Sequence, residues 1–121
     1  MTTHPTENDD VLLLALDSLW EESTGQPKTL FESTDPTVQS GTYVIQPGER
    51  IPETGTTSHD GPELSVILSG EIVLGLPETP GPTERTVSGG TYSVIPAGVQ
   101  HYSENRGSEP VELVYTIVGE L

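Results

Sequence analysis

An all-β domain, an antiparallel sandwich or small barrel behind an N-terminal arm, is the fold class that three observations predict. From Thr29 onward the chain divides into short β-favouring runs. Gly- and Pro-containing turns punctuate those runs. No convincing helical stretch follows residue 20, which excludes alternating βα units. At 121 residues the chain is one domain, able to bury roughly two thirds of the surface its unfolded form exposes.

Residues 1–10 are polar and acidic without periodicity, the pattern of a disordered tail, and His4 within it is expected to be inert. Residues 11–28 read as the arm. Leu12, Leu16, Leu19 and Trp20 would share a helical face, yet an apolar run this short suits a strand equally well. The arm is expected to pack Trp20 against the main body or a partner subunit.

Residues 29–121 form the barrel. Its eight expected strands are Thr29 to Glu32, Gly41 to Gln46, Leu64 to Leu68, Ile72 to Leu76, Arg85 to Val87, Thr91 to Ile95, His101 to Asn105 and Val111 to Val118. Val111 to Val118 is apolar on nearly both faces, so it belongs in the centre of a sheet. Leu64 to Leu68 and Ile72 to Leu74 flank Ser69-Gly70-Glu71, which reads as a hairpin with Gly70 free to adopt positive φ. Leu76 to Glu84, rich in Pro and Gly, reads as an exposed loop without chemistry.

Composition narrows the partners. Nineteen acidic residues against four basic ones give a formal charge of −15, which repels nucleic acid and anionic membrane surfaces. Such an excess also fits a halophilic protein, since 1 M salt screens charge over about 3 Å. The absence of Cys excludes disulfides and thiolate metal sites, leaving nitrogen and oxygen as the available metal ligands. The longest apolar run, Val11 to Leu16, falls far short of the ~20 residues that span a bilayer. Met1 to Asp10 carries no Lys or Arg, so it lacks the basic region of a secretory signal. A cytoplasmic location is the default expectation.

The chemistry concentrates in Thr57-Ser58-His59-Asp60-Gly61-Pro62-Glu63 and in Pro96-Ala97-Gly98-Val99-Gln100-His101. Side chains two apart on a strand share a face, so His59 lies on the side of Thr57, and Glu63 returns to it after the Asp60-Gly61-Pro62 turn. His101 then arrives from a neighbouring strand. Two imidazoles and one carboxylate form a ligand set suited to Fe, Mn, Ni or Zn, with open coordination positions for water or substrate.

These stretches resemble the cupin superfamily, in its small single-domain form. Thr57-Ser58-His59, Glu63 and Gly70 are similar to the first cupin motif, in which a His-x-His pair precedes Glu and Gly at those separations. Gly90, Pro96, Gly98, His101 and Asn105 match the second motif at every fixed position. The resemblance covers about residues 40 to 118. It implies an antiparallel jelly-roll barrel with a divalent metal held by His59, Glu63 and His101, and homodimerisation. Counted back from His59, Thr57 stands where the family's first metal-binding His would be, and counted forward from Gly48, Thr54 does; water or Glu53 is a candidate to fill that position, and Glu53 is also a candidate general acid or base. Pro96, Gly98 and Asn105 are expected to shape the turn that presents His101. Among Tyr43, Tyr92, Tyr102 and Tyr115, some are expected to line the barrel.

Two main functions follow. The first is a metal-dependent enzyme acting on a small polar molecule, as a dioxygenase, isomerase, decarboxylase or lyase. The second is a binding or sensing module that uses the same pocket without turnover, with or without metal. A purely structural acidic scaffold is a third, and it leaves His101 unexplained.

Overall fold

Short alternating segments pair edge to edge into two antiparallel sheets in the computed structural model, which describes residues 11–119. The strands are β1 (Lys28–Thr34), β2 (Thr37–Ile45), β3 (Arg50–Ile51), β4 (Glu63–Ser69), β5 (Glu71–Gly75), β6 (Glu84–Ser88), β7 (Thr91–Ile95), β8 (Tyr102–Glu104) and β9 (Val111–Val118). One sheet has the order β1-β2-β9-β4-β7 and the other β3-β8-β5-β6. Together they make the jelly-roll architecture expected from the sequence. The acidic tail, with His4, lies outside the described residues. No helix among the described residues is long and apolar enough to cross a membrane.

β9 occupies the middle of its sheet, between β2 and β4, as its two-sided apolar pattern requires. Cross-strand register stacks the inward side chains in tiers. Ile45 faces Val111, and Tyr43, Leu113 and Ile67 form the next tier. Gly41, Tyr115, Ser65 and Ser93 follow, and then Gln39, Ile117, Glu63 and Ile95. The first two tiers join Ile72 in the buried core, where Val111 is fully enclosed. Each such aliphatic side chain contributes about 1.5–3 kcal/mol by leaving water.

The structure corrects several expectations. Ser69-Gly70-Glu71 is not a hairpin turn: both edges of β4 are already hydrogen-bonded, to β7 and β9, so β5 pairs instead with β6 and β8 in the other sheet. Gly70 therefore forms the corner between sheets, with φ +86, and a Cβ there would lie 2.6 Å from the Pro110 carbonyl oxygen. β3, a two-residue strand paired with β8, was too short to show alternation. In the arm, Leu19 and Ser23 are the buried residues, and Trp20 is only half-buried. The Ser23 and Thr42 hydroxyls are 2.5 Å apart, and the Gly25 amide donates to the Val44 carbonyl. Leu76, expected in an exposed loop, is buried.

Asn105 is fully buried where β8 ends. Its side-chain amide donates to the carbonyls of Ile45, at 2.9 Å, and Glu109, at 2.8 Å, while its Oδ1 accepts from the Gly107 amide. Its backbone joins it to Gly48 and Glu49 as well. One side chain thus fastens the end of β2 to the loop entering β9.

Two outcomes are expected in chemical denaturation. Gly70→Ala and Gly90→Ala each place a side chain at positive φ, at a cost of about 1–2 kcal/mol. Gly70→Ala will exceed its counterpart, because nothing lies within 4 Å of the Gly90 position whereas backbone crowds Gly70. Asn105→Ala removes the side-chain donor from the buried Ile45 carbonyl and the partly buried Glu109 carbonyl and will destabilise by about 1–3 kcal/mol.

Candidate metal centre

The segments carrying the candidate ligands are clasped to each other through backbone. Thr57 and His101 form an antiparallel bridge in which each amide donates to the other's carbonyl at 2.9 Å. The Gly98 amide, in the turn before His101, donates to the His59 carbonyl at 2.8 Å. Side chains reinforce the clasp: Thr56 donates to Gln100 Oε1, and Gln100 Nε2 donates to Ser58. Glu63 begins β4 and points inward on the tier of Gln39, Ile117 and Ile95.

His59, Glu63 and His101 consequently meet. One potential ligand atom from each lies within 4.8 Å of the other two. Glu63 Oε1 is 3.0 Å from His59 Nε2 and 3.5 Å from His101 Nε2. The rings sit 5.6 Å apart and are tilted by 58°, so they flank the carboxylate rather than stack. All three residues line a cavity of about 400 Å³ between the sheets.

The local electrostatics demand a positive charge there. His101 Nδ1 is 2.9 Å from the Val99 carbonyl, and as its donor leaves the Nε2 lone pair facing Glu63. Burial alone would lift the Glu63 carboxyl, but hydrogen bonds and charge from His101 and His59 hold it below its ordinary 4.5. Burial opposes charging His101 too, yet Glu63 and the Val99 carbonyl raise its pKa above 6.5. A proton shared in this cluster is one solution, and a cation is the other.

The donor set fits a divalent ion. Nitrogen and carboxylate ligands bound at about 2.0–2.2 Å to one ion sit roughly 3.0–3.5 Å apart, matching both Glu63 separations. His59 Nδ1 is buried without a hydrogen-bond partner. Thr57 lines the cavity beside the three, a neutral hydroxyl in place of a third imidazole.

Glu53 is not brought to this cluster. It is exposed and is not among the residues lining the cavity. Of the four tyrosines, Tyr43 and Tyr115 line the cavity, Tyr92 is 62% exposed, and Tyr102 packs outside under Arg50. Burial raises the pKa of both cavity tyrosines above the ordinary 10, helped by Glu49 at Tyr43 and, at Tyr115, opposed by Thr29 and Gln39 and aided by Glu63. The Tyr115 hydroxyl is buried near Thr29 and Gln39 without a hydrogen bond of good geometry.

Gly41 makes that placement possible, since a Cβ there would come within 2.9 Å of the Tyr115 oxygen and 2.1 Å of the Lys28 carbonyl. Tyr115 was among the tyrosines expected to line the barrel, but reading the sequence missed Gly41, Ser65 and Ser93 of the same tier, whose small size leaves the void. Only the cross-strand register, which single-sequence periodicity does not carry, assembles it.

Chelator-treated protein will show the Glu63–His101 pairing in its pH–stability profile. The Glu63 contribution is complete above the unfolded value of 4.5 and lost as pH falls through its lowered folded value. The His101 contribution is complete below 6.5 and lost as pH rises through its raised value. The melting-temperature gap between wild type and Glu63→Gln is therefore expected to peak between these pH values. A gap that widens steadily above pH 8 would contradict the assignment.

Comparison with known proteins agrees with this architecture. The family model described as a cupin domain (Cupin_2) matches residues 41–118. No curated protein matches the sequence significantly. A Bacillus halodurans structure superposes with a TM-score of 0.74 at 18% identity, covering 94% of this chain and 85% of that one. An RmlC-like cupin family protein with a double-stranded β-helix fold from Methanocaldococcus jannaschii gives 0.70 at 19% identity, covering 92% and 91%. A cupin superfamily protein from Desulfitobacterium hafniense gives 0.67 at 20%, covering 92% and 94%. At these identities the structures speak for the fold alone, and the family match speaks for membership. With a jelly roll, a second motif complete from Gly90 to Asn105 and that family match over most of its length, this chain belongs to the cupin domain family.

Proposed function

We propose that the protein is a metal-dependent cupin in which His59, Glu63 and His101 hold one divalent ion and a small molecule binds beside it in the cavity. The observation that carries this reading is the meeting of three ligand atoms, from separate parts of the chain, within 4.8 Å inside that cavity. Val99 orients the His101 ring through Nδ1, leaving Nε2 to coordinate. Glu63 supplies the negative charge that offsets part of the ion's own. A bound divalent ion would add Lewis acidity toward oxygen atoms of the small molecule. Tyr43 and Tyr115 are the cavity's phenolic proton donors.

A second reading, binding without turnover, draws support from the lining itself. Among the described residues, Glu63 is the one carboxylate on the cavity wall, and it belongs to the proposed ligand set. The choice among oxygenase, isomerase, decarboxylase and lyase chemistry rests on activity measurements.

Tag-free protein should retain close to one equivalent of Fe, Mn, Ni or Zn by elemental analysis. His101→Ala and Glu63→Gln should each weaken that retention by more than the 10–100-fold typical of outer-sphere changes. Both variants should keep the β-sheet circular dichroism of wild type. A wild type that takes up none of the four ions, or a His101→Ala variant that holds metal as well as wild type, would overturn the reading. Oxygen uptake or product formation with the loaded protein then separates the enzyme from the binding module.

A further inference from the structure

The wall of the cavity beyond the three ligands is largely aliphatic. Ile45, Ile67, Ile72, Leu74, Ile95 and Leu113 contribute to it. Its polar members are neutral: Gln39, Tyr43, Thr57, Ser65, Ser93, Ser103 and Tyr115. Among the described residues, His59, Glu63 and His101 are the only carboxylate or imidazole groups on the lining.

The chain's cations are committed elsewhere. Of its four Lys and Arg residues, none lines the cavity. Lys28 pairs with Glu22 at 2.9 Å. Arg50 donates to the Pro52 carbonyl and lies 4.0 Å over the Tyr102 ring. Arg85 is spent on the Pro82 carbonyl and Thr79, and Arg106 on Glu84 and Glu104. A carboxylate or phosphate lodged away from the centre would therefore lose its hydration without gaining a counter-charge, at a cost of several kcal/mol.

We infer that the cavity selects a molecule with an uncharged, apolar body, a single ring or short branched chain, whose oxygen atoms face the His59–Glu63–His101 cluster. This narrows the small polar substrate expected from the sequence to one whose polarity is confined to that end. The volume agrees, since about 400 Å³ lies toward the lower end of the roughly 300–1,000 Å³ spanned by small-molecule pockets. The orientation of the ligand head rests on the metal reading above. The neutrality of its body rests on the lining alone.

Two compounds of matched shape test it. 4-Methylcatechol and 3,4-dihydroxybenzoate share a ring and an oxygen pair, and differ in carrying a methyl or a carboxylate at the far end. Their affinities would be measured by calorimetry on the full chain, both metal-free and loaded with zinc, which has no redox chemistry of its own. The methyl compound is expected to bind at least tenfold more tightly in both forms. Leu74→Lys, or Ile51→Lys should the first not fold, places an ammonium group on the wall and should shrink or reverse the preference. An acid that binds wild type as tightly as its methyl counterpart, or no binding of either compound, overturns the inference. A methyl preference in the metal-free protein, together with no zinc uptake, would leave the neutral body standing while removing the metal reading and the head orientation that rests on it.

Discussion

One carboxylate oxygen with two imidazole nitrogens inside 3.5 Å is the constraint on which the centre of this protein depends. A half-buried negative charge needs compensation, and the nearest candidates are groups that are neutral at ordinary pH unless they take up a proton. The surrounding backbone keeps the three groups from separating. The Thr57–His101 bridge and the Gly98–His59 hydrogen bond are unaffected by protonation, so the cluster cannot relax by moving a strand. A positive charge, proton or ion, satisfies the arrangement without moving it.

Much of this was legible in the sequence because it is written locally. The second motif places Gly98, His101 and Asn105 within eight residues, and each does what local chemistry suggests: a turn, an inward imidazole, and a buried amide that satisfies carbonyls. Strand β9 announced its central position through its own two-sided apolar pattern. Ser69-Gly70-Glu71 was misread because a glycine at positive φ serves a hairpin and a sheet-to-sheet corner alike. The partner of β4 was decided by residues 91–95 and 111–118, remote in sequence. Trp20 drew attention as the largest apolar side chain of the arm, yet Leu19 and Ser23 face the body. The exposure of Glu53 depends on how residues 52–56 leave β3, which no periodicity encodes.

The charge imbalance is handled by location. Nineteen acidic residues would make a poor enclosure for any anion, and Glu63 is the one placed on the cavity wall among the described residues. The scarce cations work as surface fasteners. Arg106 joins Glu84 of β6 to Glu104 of β8, and Tyr102 donates to the same Glu84 at 2.7 Å. This polar lattice decorates the outside of the smaller sheet while its inner side stays aliphatic.

The two sheets are woven from alternate parts of the chain. Strands β1, β2, β4, β7 and β9 build one, and β3, β5, β6 and β8 the other. The smaller sheet lies within residues 50–104, but the larger one draws on strands from Lys28 to Val118, so that layer cannot be completed before nearly the whole chain is in place. Loop-closure entropy must be met ahead of most of the stabilising contacts, which puts such topologies in the millisecond-to-second range of folding. The last strand, β9, completes the larger layer by bridging β2 to β4, and a polypeptide lacking it would expose both of those edges to pairing with other chains.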